Sequence, residues 1–349
     1  MANLRCITWS LAIALAAAAA AADEPAVIEA VNLDNVSAPE PNRPDEPLAE
    51  QFSLDAAARF LDSAALDWQK SRQCFTCHTN YAYLMARPAI TAEVEAHAQV
   101  RAYAEELVSQ RWPSQGPRWD AEVVATAASL ALNDAATTGK LHPLTRQALD
   151  RVWTLQREDG GFNWLKCDWP PMESDDHYGA TLAAIGVSAA PEGYAQTEVA
   201  RAGLEKLRNY FRDHPPPTLH HRAMLVWASS YGHEFISAAE RQAVVDELLA
   251  LQHADGGWGL ATLGDWKRGD GSPQDLDASD GYGTGFVIYV LRRAGVPASD
   301  PRIEQGLAWL KANQRASGRW FTRSLHADNK HFISHAGTAF AVMALAACE

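Results

Sequence analysis

The sequence predicts an all-α protein in which about six helical hairpins close into an α/α toroid. Three stretches carry an aromatic residue six positions after a glutamine, as Gln156 and Phe162, Gln252 and Trp258, and Gln314 and Trp320. Each stretch follows an amphipathic run and precedes a glycine-led apolar run: YGATLAAIGV, YGTGFVIYVLRRAGV and HAGTAFAVMALAA. No stretch alternates apolar and polar residues as a half-buried strand does. Internal repetition of this kind indicates stacked helix–turn–helix units.

The two helices of each unit have different compositions. The first is amphipathic, which is typical of an outer layer with one face in water, and the second is apolar nearly all round, which is typical of an inner layer. Looser copies of the unit occupy residues 54–87, 93–132 and 198–230. A closed ring would bury every inner helix and leave no exposed repeat end. The alternative is an open α-solenoid.

The N-terminal region predicts export. Arg5 precedes an apolar run that ends in small residues, so residues 1–22 match a signal peptide, with an uncleaved N-terminal anchor as the alternative. Residues 23–50 are acidic and proline-rich, and we expect a disordered leader. The toroid domain then covers residues 51–349. The expected location is the periplasm or the extracellular space, with no strong membrane anchor in the mature chain.

The net charge excludes two classes of partner. The formal charge is −13, with 43 acidic residues against 30 Lys and Arg. A surface that binds nucleic acid or an anionic membrane needs clustered positive charge. We therefore expect neither partner.

The sharpest chemical motif is Cys74-Phe75-Thr76-Cys77-His78. CxxCH is the attachment sequence of c-type haem, with thioethers from Cys74 and Cys77 and with His78 as an axial ligand of the iron. Export is consistent with haem attachment, because bacteria attach this haem outside the cytoplasm. The motif therefore predicts haem c and a redox partner.

Three other interpretations of the motif stay open. Cys74 and Cys77 could form a disulfide or a redox dithiol, or they could bind zinc with His78 and one further group. The sequence does not rank the candidates for a sixth iron ligand, which are His97, Met172, His177 and Met224.

The glutamine–glycine–aromatic turns resemble the QW motifs of squalene–hopene cyclases, and the segment GRWFTRS to FAVMALAA resembles the end of their C-terminal domain. This resemblance implies the α/α toroid that terpenoid cyclases share with protein prenyltransferases. It also implies a hydrophobic small molecule in a central cavity.

In these cyclases a DxDD motif opens an inner helix and protonates an alkene. Here residues 173–176 read Glu-Ser-Asp-Asp, so the resemblance makes Asp175 the acid and Glu173 and Asp176 its partners in a squalene-cyclase-like isomerase. The alternative is plain helix capping, because carboxylates in a first turn accept free amide hydrogens. A similar group recurs at Asp280, which favours capping.

Three functions follow as hypotheses. The first is an exported terpenoid-cyclase-like protein that protonates a polyene. The second is a toroid that carries haem for electron transfer or sensing. The third is a carbohydrate-active toroid, which needs two facing acids.

Overall fold

The computed structural model describes residues 30–75, 78–90 and 94–349. The predicted signal peptide and residues 23–29 of the predicted leader lie outside the described residues, as do Thr76 and Cys77. Residues Val31–Glu349 form one compact unit. Within the described ranges no helix combines the length and the apolar character needed to cross a bilayer.

Helices alternate between two layers. The outer helices are α1 (Leu54–Arg72), α3 (Glu95–Glu106), α6 (Pro143–Leu155), α8 (Glu198–Asp213), α10 (Ala238–Ala250) and α12 (Pro301–Ala312). A π-helical turn and the short helix α4 (Trp112–Gln115) extend α3. The inner helices are α2 (Asn80–Ala86), α5 (Asp120–Ala136), α7 (Asp176–Ala189), α9 (Leu219–Ser229), α11 (Gly281–Arg293) and α13 (Ile333–Ala346).

The inner helices pack in a closed order. Helix α2 contacts α5, and the contacts continue through α7, α9, α11 and α13, which returns to α2. An open solenoid lacks the last of these contacts. The predicted closed α/α toroid of six hairpins is therefore confirmed for the described residues.

Burial separates the layers as the composition predicts. In α8 the buried positions include Ala200, Gly203, Leu204 and Leu207, which is the spacing of one apolar helix face. In α13 every residue from Ile333 to Leu345 is buried. Outer helices thus face water on one side, whereas inner helices are surrounded by protein.

The repeated glutamine joins each outer helix to the next. Gln156 Nε2 donates to the carbonyl of Gly203 in α8 at 3.0 Å, and Gln252 Nε2 donates to that of Arg302 in α12 at 2.7 Å. In the last repeat, Gln314 Nε2 donates to the carbonyl of Ser53, the N-cap of α1, at 2.8 Å. The last turn therefore bonds to the first helix, and the motif itself closes the ring.

The described part of the expected leader packs against the ring. We call residues 31–50 the strap. The Ala49 N–H donates to Gln314 O at 2.8 Å, and Glu46 Oε2 accepts from Arg319 Nε at 2.6 Å. Arg319 also donates to Asn42 Oδ1 at 2.7 Å. The expectation of disorder does not describe these residues, because a buried arginine needs the strap's carboxylate and amide.

Candidate functional site

An aromatic cavity of about 290 Å³ lies at the face of the ring where the inner helices begin. We call it the mouth cavity. Its walls come from α1, α5 and the segments that precede α2, α5, α7 and α13. The aromatic side chains that line it are Trp68, Phe75, Trp119, Trp164, Trp169 and Phe332. Because α1 and four separate loops supply these rings, the cavity exists only after the ring has closed.

The CxxCH motif opens onto this cavity. Cys74 and His78 both line it, whereas Cys77 lies outside the described residues. Burial raises the pKa of the Cys74 thiol, although the Arg118 guanidinium partly opposes the effect. The thiol is therefore protonated at neutral pH. Cys74 forms no disulfide with any cysteine that the structure describes.

His78 is buried, and its two ring nitrogens have different environments. Nδ1 lies 3.1 Å from Glu173 Oε1. Nε2 is buried and has no hydrogen-bond partner among the described residues. Since a carboxylate only accepts hydrogen bonds, Nδ1 carries the proton in the neutral ring, and Nε2 then presents its lone pair. A metal-binding histidine commonly has this arrangement, with a carboxylate on the other nitrogen.

Aromatic rings hold the imidazole in place. The Trp68 ring meets His78 edge-on, with centroids 4.9 Å apart, and Phe332 lies 6.1 Å from it. Rotation of the imidazole would therefore break both its packing and its bond to Glu173.

The carboxylates of residues 173–176 have separate partners. Asp175 is the N-cap of α7, and its Oδ1 accepts from the Tyr178 N–H at 3.0 Å and from His221 Nε2 at 3.1 Å. Asp176 accepts from Arg157 at 2.8 Å and from Lys166 at 3.3 Å. The three predicted catalytic residues are thus near in sequence, but each is hydrogen-bonded to different partners.

The surroundings of Asp175 favour its anion. Burial alone would raise its pKa, but the hydrogen bond and charge of His221 and the N–H of Tyr178 outweigh burial and hold the pKa at about 2. An alkene-protonating acid must be neutral before it reacts. The geometry therefore agrees with the capping interpretation.

Asp280 occupies the same place in a later repeat. It is the N-cap of α11, and it accepts from the Gly283 N–H at 2.8 Å and from the Leu260 N–H at 2.7 Å. Complete burial raises its pKa to about 6 against these bonds. Its recurrence at the start of an inner helix again indicates a cap.

Two aromatic pairs cross the ring interior. The hydroxyls of Tyr81 in α2 and Tyr178 in α7 are hydrogen-bonded, although α5 stands between these helices in the ring. The rings of Trp227 in α9 and Phe340 in α13 also meet, with centroids 6.2 Å apart across α11. A polyene in the centre would have to displace these pairs.

The candidate sixth ligands are dispersed. Met172 lies beside His78 along a small cavity of about 20 Å³, whereas His97, His177 and Met224 line neither this cavity nor the mouth cavity. Among the described residues, no three His, Cys, Asp or Glu side chains are arranged to hold a metal ion.

Sequence reasoning missed the pairing of His78 with Glu173 and the aromatic walls. The pair is 95 residues apart, and no local pattern relates the two. A signal for the walls did exist, because Trp119, Trp164 and Trp169 all lie in loops just before inner helices.

Comparison with known proteins gives distant structural similarity alone. No protein-family model matches the chain, and no curated protein matches it. The chain is similar to ent-copalyl diphosphate synthase from Streptomyces platensis, at a TM-score of 0.47 and 18% identity, over 77% of this chain and 50% of that one. It is also similar to the type II terpene cyclase MstE from Scytonema, at a TM-score of 0.49 and 13% identity, over 84% and 98% of the two chains.

A variant of MstE was solved with its substrate, geranylgeranyl dihydroxybenzoate, and matches at a TM-score of 0.46 and 15% identity over 85% and 99%. This chain therefore spans half the length of the synthase and nearly all of MstE. Its own helix contacts, described above, establish the toroid.

Proposed function

We propose that this protein is a toroid that carries covalent c-type haem in its mouth cavity. Cys74 and Cys77 would supply the thioethers, and Nε2 of His78 would be the axial ligand. The observation that carries the proposal is the buried lone pair of His78, in a cavity that Cys74 also lines. A buried nitrogen without a partner is costly, and a metal ion would satisfy it.

The other lining residues suit a macrocycle with an apolar face and two carboxylates. Trp68, Trp164 and Phe332 offer flat apolar surface, and Arg72 and Lys330 line the same cavity with positive charge. These cations would pair with the carboxylates, while the aromatic rings exclude water. When bound, haem supplies one-electron redox chemistry or a site for a small ligand.

This function has more support than acid-catalysed cyclisation of a polyene. MstE was solved with such a substrate, but at this distance the similarity carries no inference about activity. In this chain Asp175 is stabilised as an anion, and the Tyr81–Tyr178 pair crosses the interior.

The haem-carrying function also has more support than carbohydrate cleavage by paired acids. Glu122 and Glu173 both line the mouth cavity, but each already has a partner. Glu122 accepts from Trp112 Nε1 at 2.9 Å, and Glu173 is bonded to His78. Neither carboxylate is left to protonate a glycosidic oxygen.

The proposal includes export and a one-electron redox partner or a small iron ligand. Both follow from the CxxCH chemistry, because attachment outside the cytoplasm requires the chain to cross a membrane first. The predicted signal peptide provides that route.

The test is expression of the full chain in a bacterium that carries the c-type haem-maturation machinery. We expect a coloured protein with a Soret band, a mass gain of one haem, and haem that stays attached after denaturation. Cys74→Ser and Cys77→Ser should each weaken or abolish the covalent link. Cys167→Ser is the matched control, because Cys167 lines the same cavity outside the motif. A colourless wild-type protein would contradict the proposal.

A further inference from the structure

Glu173 makes a contact that neither the haem motif nor helix capping explains. Its Oε1 lies 3.1 Å from His78 Nδ1, on the side of the ring opposite the nitrogen that would bind iron. Both side chains are nearly buried, with 9% and 11% exposure for His78 and Glu173. Water therefore competes weakly for this hydrogen bond, and a low local dielectric strengthens it.

The backbone on either side of Glu173 is fixed. Its N–H donates to Trp169 O at 2.9 Å, and its carbonyl accepts from the Cys167 N–H at 2.8 Å. These bonds close the loop before α7, so the carboxylate reaches His78 from a rigid support. The two residues belong to different hairpins of the ring.

We propose that Glu173 is a positioning residue that sets the reduction potential of the haem iron through His78. The inference rests on the proposed function. A carboxylate that accepts the Nδ1 proton increases electron density at Nε2, and a more electron-rich ligand stabilises Fe(III) over Fe(II). Glu173 thus favours the oxidised state of a one-electron couple, and it also fixes the plane of the imidazole.

The test is a spectroscopic redox titration of the haem-loaded full chain, with mediators and dithionite. Glu173→Gln keeps the size of the side chain and removes its charge. We expect the midpoint potential to rise by an amount equal to about a tenfold change in the Fe(III)/Fe(II) ratio, or about 59 mV for one electron. The iron–histidine stretching frequency in the Raman spectrum of the ferrous protein should fall.

Glu122→Gln is the matched control, because it removes the same charge from the same cavity without touching His78. Its carboxylate binds Trp112 and Arg111 instead. We expect a much smaller shift in potential and an unchanged iron–histidine frequency. Glu173→Asp retains a carboxylate, and its midpoint potential should lie between those of wild type and Glu173→Gln. It also provides a folded variant if the glutamine variant is unstable.

The outcomes separate the two proposals. A wild-type protein that attaches no haem ends the proposed function. A haem-loaded wild type whose potential and iron–histidine frequency are unchanged by Glu173→Gln ends the positioning role alone. Equal shifts of the midpoint potential in Glu173→Gln and Glu122→Gln would also overturn the positioning role. They would indicate that any negative charge in the cavity changes the potential to the same extent.

Discussion

Carboxylates at the start of the inner helices have different partners, and the two that act as N-caps, Asp175 and Asp280, have different pKa values. Glu173 is bonded to His78, and Asp175 caps α7 while accepting from His221. Asp280 caps α11 in the same way but is completely buried, so its pKa is raised to about 6, whereas that of Asp175 is lowered to about 2. Residue type and repeat position therefore do not determine the pKa, which depends on the solvent exposure and the hydrogen bonds of each carboxyl group.

Asp175→Ala should destabilise the fold by about 1–2 kcal/mol at neutral pH, which is the usual cost of losing an N-cap. Thr197→Ala is the control, because Thr197 caps α8 through its hydroxyl alone. The measurement is urea denaturation of both variants and wild type.

The stabilisation that Asp175 provides should depend on pH. The pKa of Asp175 is about 2 in the folded chain and about 3.9 in an unfolded one. Its charge-dependent stabilisation is therefore complete above pH 4 and is lost as the pH falls towards 2. The gap between Asp175→Ala and wild type should narrow between pH 7 and pH 3. A gap that stays constant would contradict the low pKa.

At the scale of elements, the glutamine turns need glycine where two outer helices meet. Gly318 has a φ of +93°, and a Cβ there would lie 2.2 Å from the carbonyl oxygen of Ala56 in α1. Gly160 shows the same approach, 2.2 Å from the carbonyl oxygen of Lys206 in α8. Each turn thus lies directly on the backbone of the next outer helix, and this contact sets the register of the ring.

Gly318→Ala should destabilise the protein more than Gly295→Ala. Gly295 has a nearly equal φ of +97°, but a Cβ there would meet no atom of a more distant residue within 4 Å. The strained backbone costs about 1–2 kcal/mol in both variants, and the clash with α1 adds about 1–3 kcal/mol in Gly318→Ala alone. Thermal unfolding of the two variants measures the difference, and equal melting temperatures would exclude the close contact.

At the scale of the whole molecule, the strap and the last turn together close the ring. Arg319 lies next to the repeat aromatic Trp320, and its side chain is 2% exposed. Glu46 of the strap pairs with it at 2.6 Å, and Gln314 bonds to Ser53 beside it. The seam between the last hairpin and the first is therefore held by a buried ion pair as well as by helix packing.

Glu46→Gln should lower the free energy of unfolding by about 3–5 kcal/mol, because it leaves the buried charge of Arg319 without its counter-ion. Asp45→Asn is the control in the same strap. Asp45 pairs with Arg43 at the surface, and such exposed pairs contribute about 0–1 kcal/mol. Denaturant unfolding measures the free energy of unfolding of both variants. Similar losses of stability in Glu46→Gln and Asp45→Asn would contradict the role of the strap in closure.

The sequence by itself determined the helical hairpins and their two layers, whereas the contact of α13 with α2 decided that they close into a ring. These features follow from local apolar periodicity and from a repeated turn, and the glutamine of that turn bonds to the next outer helix wherever it occurs. The CxxCH motif is equally local, so Cys74 and His78 were predicted as a site without coordinates. The attachment of haem at this motif remains a proposal.

Only the tertiary structure decided what surrounds His78. Its pairing with Glu173 and the aromatic walls around it depend on which loops meet when the ring closes. The packing of the strap also depends on closure, since its partner Arg319 lies at the other end of the chain. Such contacts arise from the angles between successive hairpins, and residue spacing along the chain carries no direct record of those angles.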